Sequence, residues 1–276
     1  RMGRMMPPIF LIDTHCHLDA ERLFSQHAAV MSAAWAADVR QIVIPAVSAA
    51  NFARQQWLHQ RYGCAVAYGL HPLAVGCRAD NAQQLTQIAE VLQSGQACAV
   101  GEIGLDFYHG QDGAEEQEWV FVQQLKLAQQ HQLPVLLHSR RAVDRVLKYL
   151  RRYPVVGGIA HAFNGSEQQA EVFLQLGFKL GFGGAMTFSG SQRIRRLASH
   201  LPLSAVVLET DAPDMAPQWA QGQVNQPANI RRFAAELADL RKIEFTELTQ
   251  ACLVNTWQAL PKLAAGSVLS IAAPST

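Results

Sequence analysis

Apolar runs recur along the chain at nearly even intervals. They are PPIFLID (7–13), QIVIPAV (41–47), CAVAYGL (64–70), ACAVGEIGL (97–105), PVLLH (134–138), VVGGIAHAF (155–163), FKLGFGG (178–184) and AVVLETD (205–211). Apolar residues follow one another in these runs instead of alternating with polar ones, as in strands covered on both faces. Between the runs lie Ala-, Gln- and Leu-rich segments with helical spacing. The clearest is 114–132, where one stripe passes through Trp119, Val122, Leu125, Lys126 and Gln129, and a neighbouring one through Phe121, Leu125 and Ala128. Glu115, Glu116 and Glu118 open that segment and suit the positive end of a helix. Two more helical segments, 227–242 and 245–260, close the pattern.

Eight strands alternating with helices predict a parallel sheet, and the count points to a closed (β/α)8 TIM barrel. An open doubly wound sheet is the alternative, but no GxGxxG follows the first strand. No linker or repeat divides the chain. We therefore expect one domain over 1–276, with its core at about 9–260 and loose termini at 1–8 and 264–276.

Composition narrows the partners. The 276 residues are 49% hydrophobic, so a large core is available, and 23 basic against 22 acidic residues leave a net charge of +1. No global field draws in DNA or a membrane, so an anionic ligand must be gripped locally. Five cysteines without a CxxC pair suit a reducing compartment. The opening RMGRMMPP lacks a signal-like apolar core, and no run approaches the ~20 apolar residues of a membrane span. Cytoplasmic residence is the expectation.

Chemistry concentrates where the apolar runs end. FLIDTHCHLD stops at Asp13, His15 and His17, and the two imidazoles share a parity, so in extended chain they face one way. Cys16 between them faces the other way and is read as packing. GLHP places His71 at the third exit, VGEIGLD places Glu102 and Asp106 at the fourth, and LLHSRR places His138 at the fifth. IAHAF brings His161 to the sixth, and LETDAP brings Glu209 and Asp211 to the eighth. Catalytic groups of an α/β barrel sit at the carboxyl ends of its strands. Six of eight exits carrying His, Asp or Glu therefore predict a metal site on one rim. Imidazole and carboxylate suit Zn, Mn, Ni or Mg. Four histidines and two carboxylates exceed what one open catalytic ion needs, so two ions sharing a carboxylate are expected.

DTHCHLD, GLHP, VGEIGLD, LPVLLHSRR, HAFNGS and LETDAP, in this order over about 10–260, resemble the motif series of the TatD family of metal-dependent hydrolases. HSRR, HAFNGS and TDAPDM are closest in wording to its YjjV branch. The resemblance implies a TIM barrel of amidohydrolase type holding two divalent ions. It assigns His15, His17 and Asp211 to one ion, Glu102 as the bridge, and His138 and His161 to the other. It also implies hydrolysis of ester bonds by a metal-activated water, foremost a deoxyribonuclease acting at DNA ends. An amide or ester hydrolase, or an aminoacyl-tRNA deacylase, is the alternative on the same site.

Within that reading Asp211 is the candidate to orient the water and take its proton. Asp106 and Glu209 are candidates to orient histidines from behind, and Asp13 to hold the first turn. His71 and Arg140 are candidates to contact substrate, with Arg140 and Arg141 placed at the start of a helix. A further basic cluster lies at Arg193, Arg195 and Arg196, and Phe107, Tyr108, Phe163 and Phe188 could stack on bases. A monomer without an obligate protein partner is expected.

Overall fold

The computed structural model describes residues 9–264 and residue 273. Apart from residues 264 and 273, the termini expected to be loose lie outside the described residues. Eight parallel strands neighbour one another in chain order. They are β1 (Leu11–Asp13), β2 (Val39–Pro45), β3 (Ala65–Tyr68), β4 (Ala99–Asp106), β5 (Val135–Arg140), β6 (Gly158–Ala160), β7 (Phe178–Phe182) and β8 (Val206–Leu208). Each falls within or against one of the eight apolar runs, and helices fill the intervals, which is the expected TIM barrel. The seam between β8 and β1 is joined by Thr14. Its backbone N–H and its hydroxyl both donate to the Leu208 carbonyl, at 3.1 and 2.9 Å.

Two layers of apolar packing explain the unbroken runs. Ile12, Val43, Ala65, Ala67, Ala99, Leu136, Ile159 and Val207 meet one another inside the barrel, with Leu260 and Leu263 joining the same cluster. The alternate strand residues, Leu11, Ile42, Ile44, Val66, Val135 and Leu137 among them, pack outward in the larger cluster shared with the helices. Helix Ala114–His131 shows how a helix chooses its face. Val120, Phe121, Gln124, Leu125 and Ala128 are buried, so the Phe121 stripe packs while Lys126 and Gln129 of the other stripe are exposed. The long polar side chains decide this, because they stay hydrated at no cost.

The interior layer also aims the polar residues. Side chains two apart on a strand point to the same side. Leu136 inside the barrel is followed by His138 at its mouth, and Ile159 by His161. Past the strand ends the same parity leads from Ala67 to His71 and from Val207 through Glu209 to Asp211. Glu102 breaks parity with Ala99, and the β4–β5 register shifts between Gly101 and Ile103 to bring it inward. Among the described residues, no helix is long and apolar enough to cross a membrane.

Candidate metal centre

Glu102 lies at the centre of the mouth, 1% exposed. Its Oε2 is 3.0 Å from His15 Nε2 and 3.4 Å from His17 Nε2. Its Oε1 is 3.0 Å from His138 Nδ1 and 3.4 Å from His71 Nε2. One carboxylate thus divides four imidazoles into two pairs, one pair per oxygen. Asp211 completes the ring, with Oδ1 at 3.7 Å from His15 and 3.5 Å from His17, and Oδ2 at 3.6 Å from His161 Nε2. His15 and His161 stack, their ring centroids 3.6 Å apart. All but His15 of these six expected ligands line one cavity of about 440 Å³, which His71, Asp106 and Arg140 also line.

Segments distant in sequence are tied together behind this ring. The Asp211 N–H donates to the His15 carbonyl and the His17 N–H to that of Ala212, both at 2.8 Å, so the ends of β1 and β8 run on as partners. Asp13 clamps the same junction, accepting from the Thr210 N–H at 2.9 Å, the Thr210 hydroxyl at 2.5 Å and the His15 N–H at 3.3 Å. Burial dominates those bonds and pushes the Asp13 carboxyl up to about 8. Asp106 Oδ2 lies 2.7 Å from His138 Nε2, and Glu209 Oε1 lies 3.0 Å from His161 Nδ1. Each of these histidines therefore has a carboxylate beside its outer nitrogen, the arrangement by which outer carboxylates orient metal-binding imidazoles. Glu209 is itself held by the Ala162 N–H at 2.6 Å.

His71 is positioned differently. Gln124, buried on helix Ala114–His131, grips both sides of the Leu70 backbone, accepting its N–H at 2.7 Å and donating to its carbonyl at 3.1 Å. His71 Nδ1 accepts the Leu73 N–H at 3.0 Å. In the neutral ring this puts the proton on Nε2, so His71 faces Glu102 and His138 as a donor. The lone pair a cation needs is turned to the backbone.

The donor set fits divalent cations. Three groups each bring one ligand atom per residue within 4.8 Å of the others: His15, His161 and Asp211; His15, His17 and Glu102; and His71, Glu102 and His138. Charges reinforce the arrangement. Burial alone would raise the Glu102 carboxyl, but His15, His71 and His138 hold it well below the usual carboxylate range. Asp211 is lowered likewise, burial being outweighed by His161 and then by His15 and His17. Burial opposes the charge on His17 as well, yet the Glu102 bond and the charges of Glu102 and Asp211 raise it to about 9. His138 and His161 are also raised against burial, by Asp106 and Glu102 in one case and Glu209 and Asp211 in the other. His15 goes down, through burial and the neighbouring His161.

With only protein groups to balance them, the carboxylates thus keep protons on imidazoles that a cation needs neutral. Metal affinity is expected to rise from pH 6 to pH 9, with protons released on binding at pH 7. Titration calorimetry in two buffers of different ionisation enthalpy checks this; heats independent of the buffer would contradict it.

The structure groups some expected residues differently. Among the described residues, Glu102, His138 and His161 do not form one three-donor group: His138 falls with His71, and His161 with His15 and Asp211. Arg140 and Arg141 are not at a helix start. Arg140 is the last residue of β5, and the next helix, Val143–Arg152, is capped by Ala142. In the basic cluster, Arg195 pairs with Glu236 and Arg196 with Glu167, whereas Arg193 donates to the Asn164 amide oxygen. Phe107 and Phe163 are buried in the core, and Tyr108 is exposed. Asp19 escaped the sequence reading. It is buried on the cavity wall, and burial raises it to about 6 against the charge of His17. Its place two residues after His17 was the available signal.

Gly181 on β7 shows how tightly the support is built. A Cβ there would run into the Glu209 carboxylate, whose Oε1 is held by the Ala162 N–H. Gly181→Ala is expected to swing Glu209 off His161 and weaken metal binding by about 10- to 100-fold, as loss of an outer carboxylate does. Competition with a chromogenic chelator measures it.

Fold and site together define a class: metal-dependent hydrolases on a TIM barrel. The chain belongs to the TatD family, whose model, described as TatD related DNase, matches residues 12–260. The uncharacterized metal-dependent hydrolase YjjV of Escherichia coli strain K12 is 41% identical over 248 residues, spanning 89% of this chain and 96% of that protein. Its crystal structure superposes with a TM-score of 0.87 at 40% identity, over 91% of this chain and 98% of that one. A TatD family hydrolase from Entamoeba histolytica (TM-score 0.78, 19% identity, 93% and 99% covered) shares the fold. So does an uncharacterized amidohydrolase from Saccharomyces cerevisiae (0.76, 15%, 91% and 100%).

Proposed function

We propose that this metal-dependent hydrolase cleaves phosphodiester bonds, acting as a deoxyribonuclease at DNA ends. The observation that carries the reading is the placement of Arg140. It stands on the wall of the cavity that holds Glu102 and Asp211, exposed and without a carboxylate ion pair among the described residues. A guanidinium in that position offers a fork of donors to a phosphate. The family model's description as a DNase agrees.

In this proposal His15, His17, Glu102, His138, His161 and Asp211 would hold two divalent ions. Zn, Mg, Mn or Ni fit these donors. Such ions supply Lewis acidity, which activates water at neutral pH and polarises the bond attacked. The chain's own groups do the rest. Asp211, whose charge His161 favours against burial, orients the attacking water and accepts its proton at a carboxylate oxygen. His71 donates its Nε2–H to a non-bridging phosphate oxygen. Arg140 grips the phosphate and opposes its charge, while Asp106 and Glu209 keep His138 and His161 from turning. The protein is read as a cytoplasmic monomer.

The test is metal-reconstituted enzyme on end-labelled single- and double-stranded DNA, run beside a panel of small esters, amides and an aminoacyl-tRNA. A His15→Ala, His17→Ala double variant serves as control. Release of nucleotides from a labelled end, absent in the control, supports the reading. Turnover of the acyl panel with none on DNA reassigns the site to an amide or ester hydrolase.

A further inference from the structure

Segment 210–215 carries Asp211 past the end of β8 and turns there, the Asp214 N–H donating to the Asp211 carbonyl at 3.0 Å. Asp211 and Met215 both have left-handed backbone, with φ of 56° and 50°. Residues other than glycine keep that conformation only where their surroundings impose it. On the β1 side the His15 carbonyl holds the Asp211 N–H. On the other side stands Asn225, fully buried. Its side-chain amide donates to the carbonyls of Thr210 and Asp214, both at 2.9 Å, with a longer contact to that of Met215 at 3.3 Å. Its backbone N–H donates to the Pro213 carbonyl at 3.0 Å. Carbonyls before and after Asp211 thus converge on one asparagine.

The amide is itself aimed. Asn225 Oδ1 accepts the Gln226 N–H at 2.9 Å and the Asn229 side-chain amide at 2.8 Å. With donors at one end and acceptors at the other, the group cannot turn over without losing both sets. Asn229 accepts the Trp219 indole N–H at 3.2 Å and immediately precedes helix Ile230–Arg241, whose Ile230, Phe233 and Leu237 are buried. Hydrogen bonds therefore run from a helix packed outside the barrel to the segment that bears Asp211. Carbonyl oxygens gathered at one point repel unless a donor stands between them, and buried ones left without a donor are costly.

We propose that Asn225 is a positioning residue for Asp211: by gathering the carbonyls on either side, it fixes where the carboxylate stands between the His15–His17 pair and His161. The inference rests on Asp211 serving the metal centre, as in the reading above, and adds a residue that acts on that centre only through the backbone. A carboxylate in a metal site must stand within about 0.5 Å of its productive position. A segment free to open would rehydrate its carbonyls and carry Asp211 out of that range.

The experiment strips the full chain of metal and titrates it with Co²⁺. The visible d–d bands report coordination geometry, and competition with a chromogenic chelator gives affinity. Asn225→Ala is expected to bind cobalt about 10- to 100-fold more weakly, with an altered spectrum. Asn225→Asp keeps the volume and the accepting oxygen but sets a second oxygen against the same carbonyls, so it should do no better than alanine. In an Asp211→Asn background, Asn225→Ala should change cobalt affinity by less than about threefold, because two residues that act as one do not add. Asn229→Ala releases only the aim of the amide. It should give a smaller loss in the same direction, and it carries the comparison should Asn225→Ala not fold.

A lower melting temperature with unchanged cobalt affinity and spectrum overturns the proposal, since the role is then structural alone. Equal losses with and without the Asp211 carboxylate overturn it too. Cleavage of bis(p-nitrophenyl) phosphate by the metal-loaded wild type separates this inference from the phosphodiesterase reading. Cleavage without coupling between residues 211 and 225 upholds the reaction and sinks the positioning role; coupling without cleavage does the reverse.

Discussion

Asp211→Asn is expected to lower turnover of a phosphodiester by about 10²- to 10⁴-fold, the range a positioned general base contributes, while the fold survives. The side chain offers Oδ1 toward His15 and His17 and Oδ2 toward His161. An amide keeps the size but gives up the proton-accepting charge. What anchors residue 211 is its backbone N–H on the His15 carbonyl, and the substitution leaves that bond intact. The melting temperature should therefore move little, and metal analysis should still find bound ion. Steady-state kinetics with the metal content measured on the same sample decide the matter. Near-normal turnover with metal bound would remove Asp211 from the mechanism.

Glu102→Gln should act on the whole centre. Four imidazoles face the two oxygens of this one buried carboxylate, and an amide cannot accept from both sides. Metal stoichiometry is expected to fall and activity with it. Stability of the protein stripped of metal should drop by about 3–5 kcal/mol, the usual consequence of removing one partner of a buried pair. The pH dependence has a definite sign. His17 is raised to about 9 from its ordinary 6.5, so its pairing with Glu102 stabilises fully below 6.5 and is lost as pH rises through 9. Glu102 is lowered, so its contribution is present above the ordinary carboxylate value of 4.5 and is lost only in stronger acid. The gap between wild type and variant should accordingly be widest from about pH 5 to 6.5 and shrink toward pH 9. Denaturant melts in EDTA across that range measure it, and a gap that widens toward pH 9 would contradict the assignment.

Much of this molecule was legible before its coordinates. Strands that pack on both faces read as continuous apolar runs, and eight such runs alternating with helices leave few architectures. The strand exits followed from the same pattern, because a buried wall cannot carry His, Asp and Glu until it reaches the rim. The roles of Asp106 and Glu209 as carboxylates behind His138 and His161 were open in one dimension, since nothing local says which imidazole a carboxylate meets.

Other features were hidden for identifiable reasons. The inward turn of Glu102 depends on a register shift against β5, which pairing between strands creates. Arg140 and Arg141 looked like a helix start because the helix follows so soon, but β5 runs on through Arg140. Asp19 is hidden because a lone acid after two histidines is unremarkable until the fold buries it on the cavity wall.

The amino-acid sequence by itself determined the alternation of strand and helix, the rim on which chemistry collects, and the donor types available there, because each follows from local polarity and spacing. Tertiary structure alone decided how those donors are shared: Glu102 between two pairs of histidines, and Asp211 drawn to β1 across the closing seam. Such choices depend on which distant segments meet, and in a closed barrel that is set by register and closure, not by any stretch of chain.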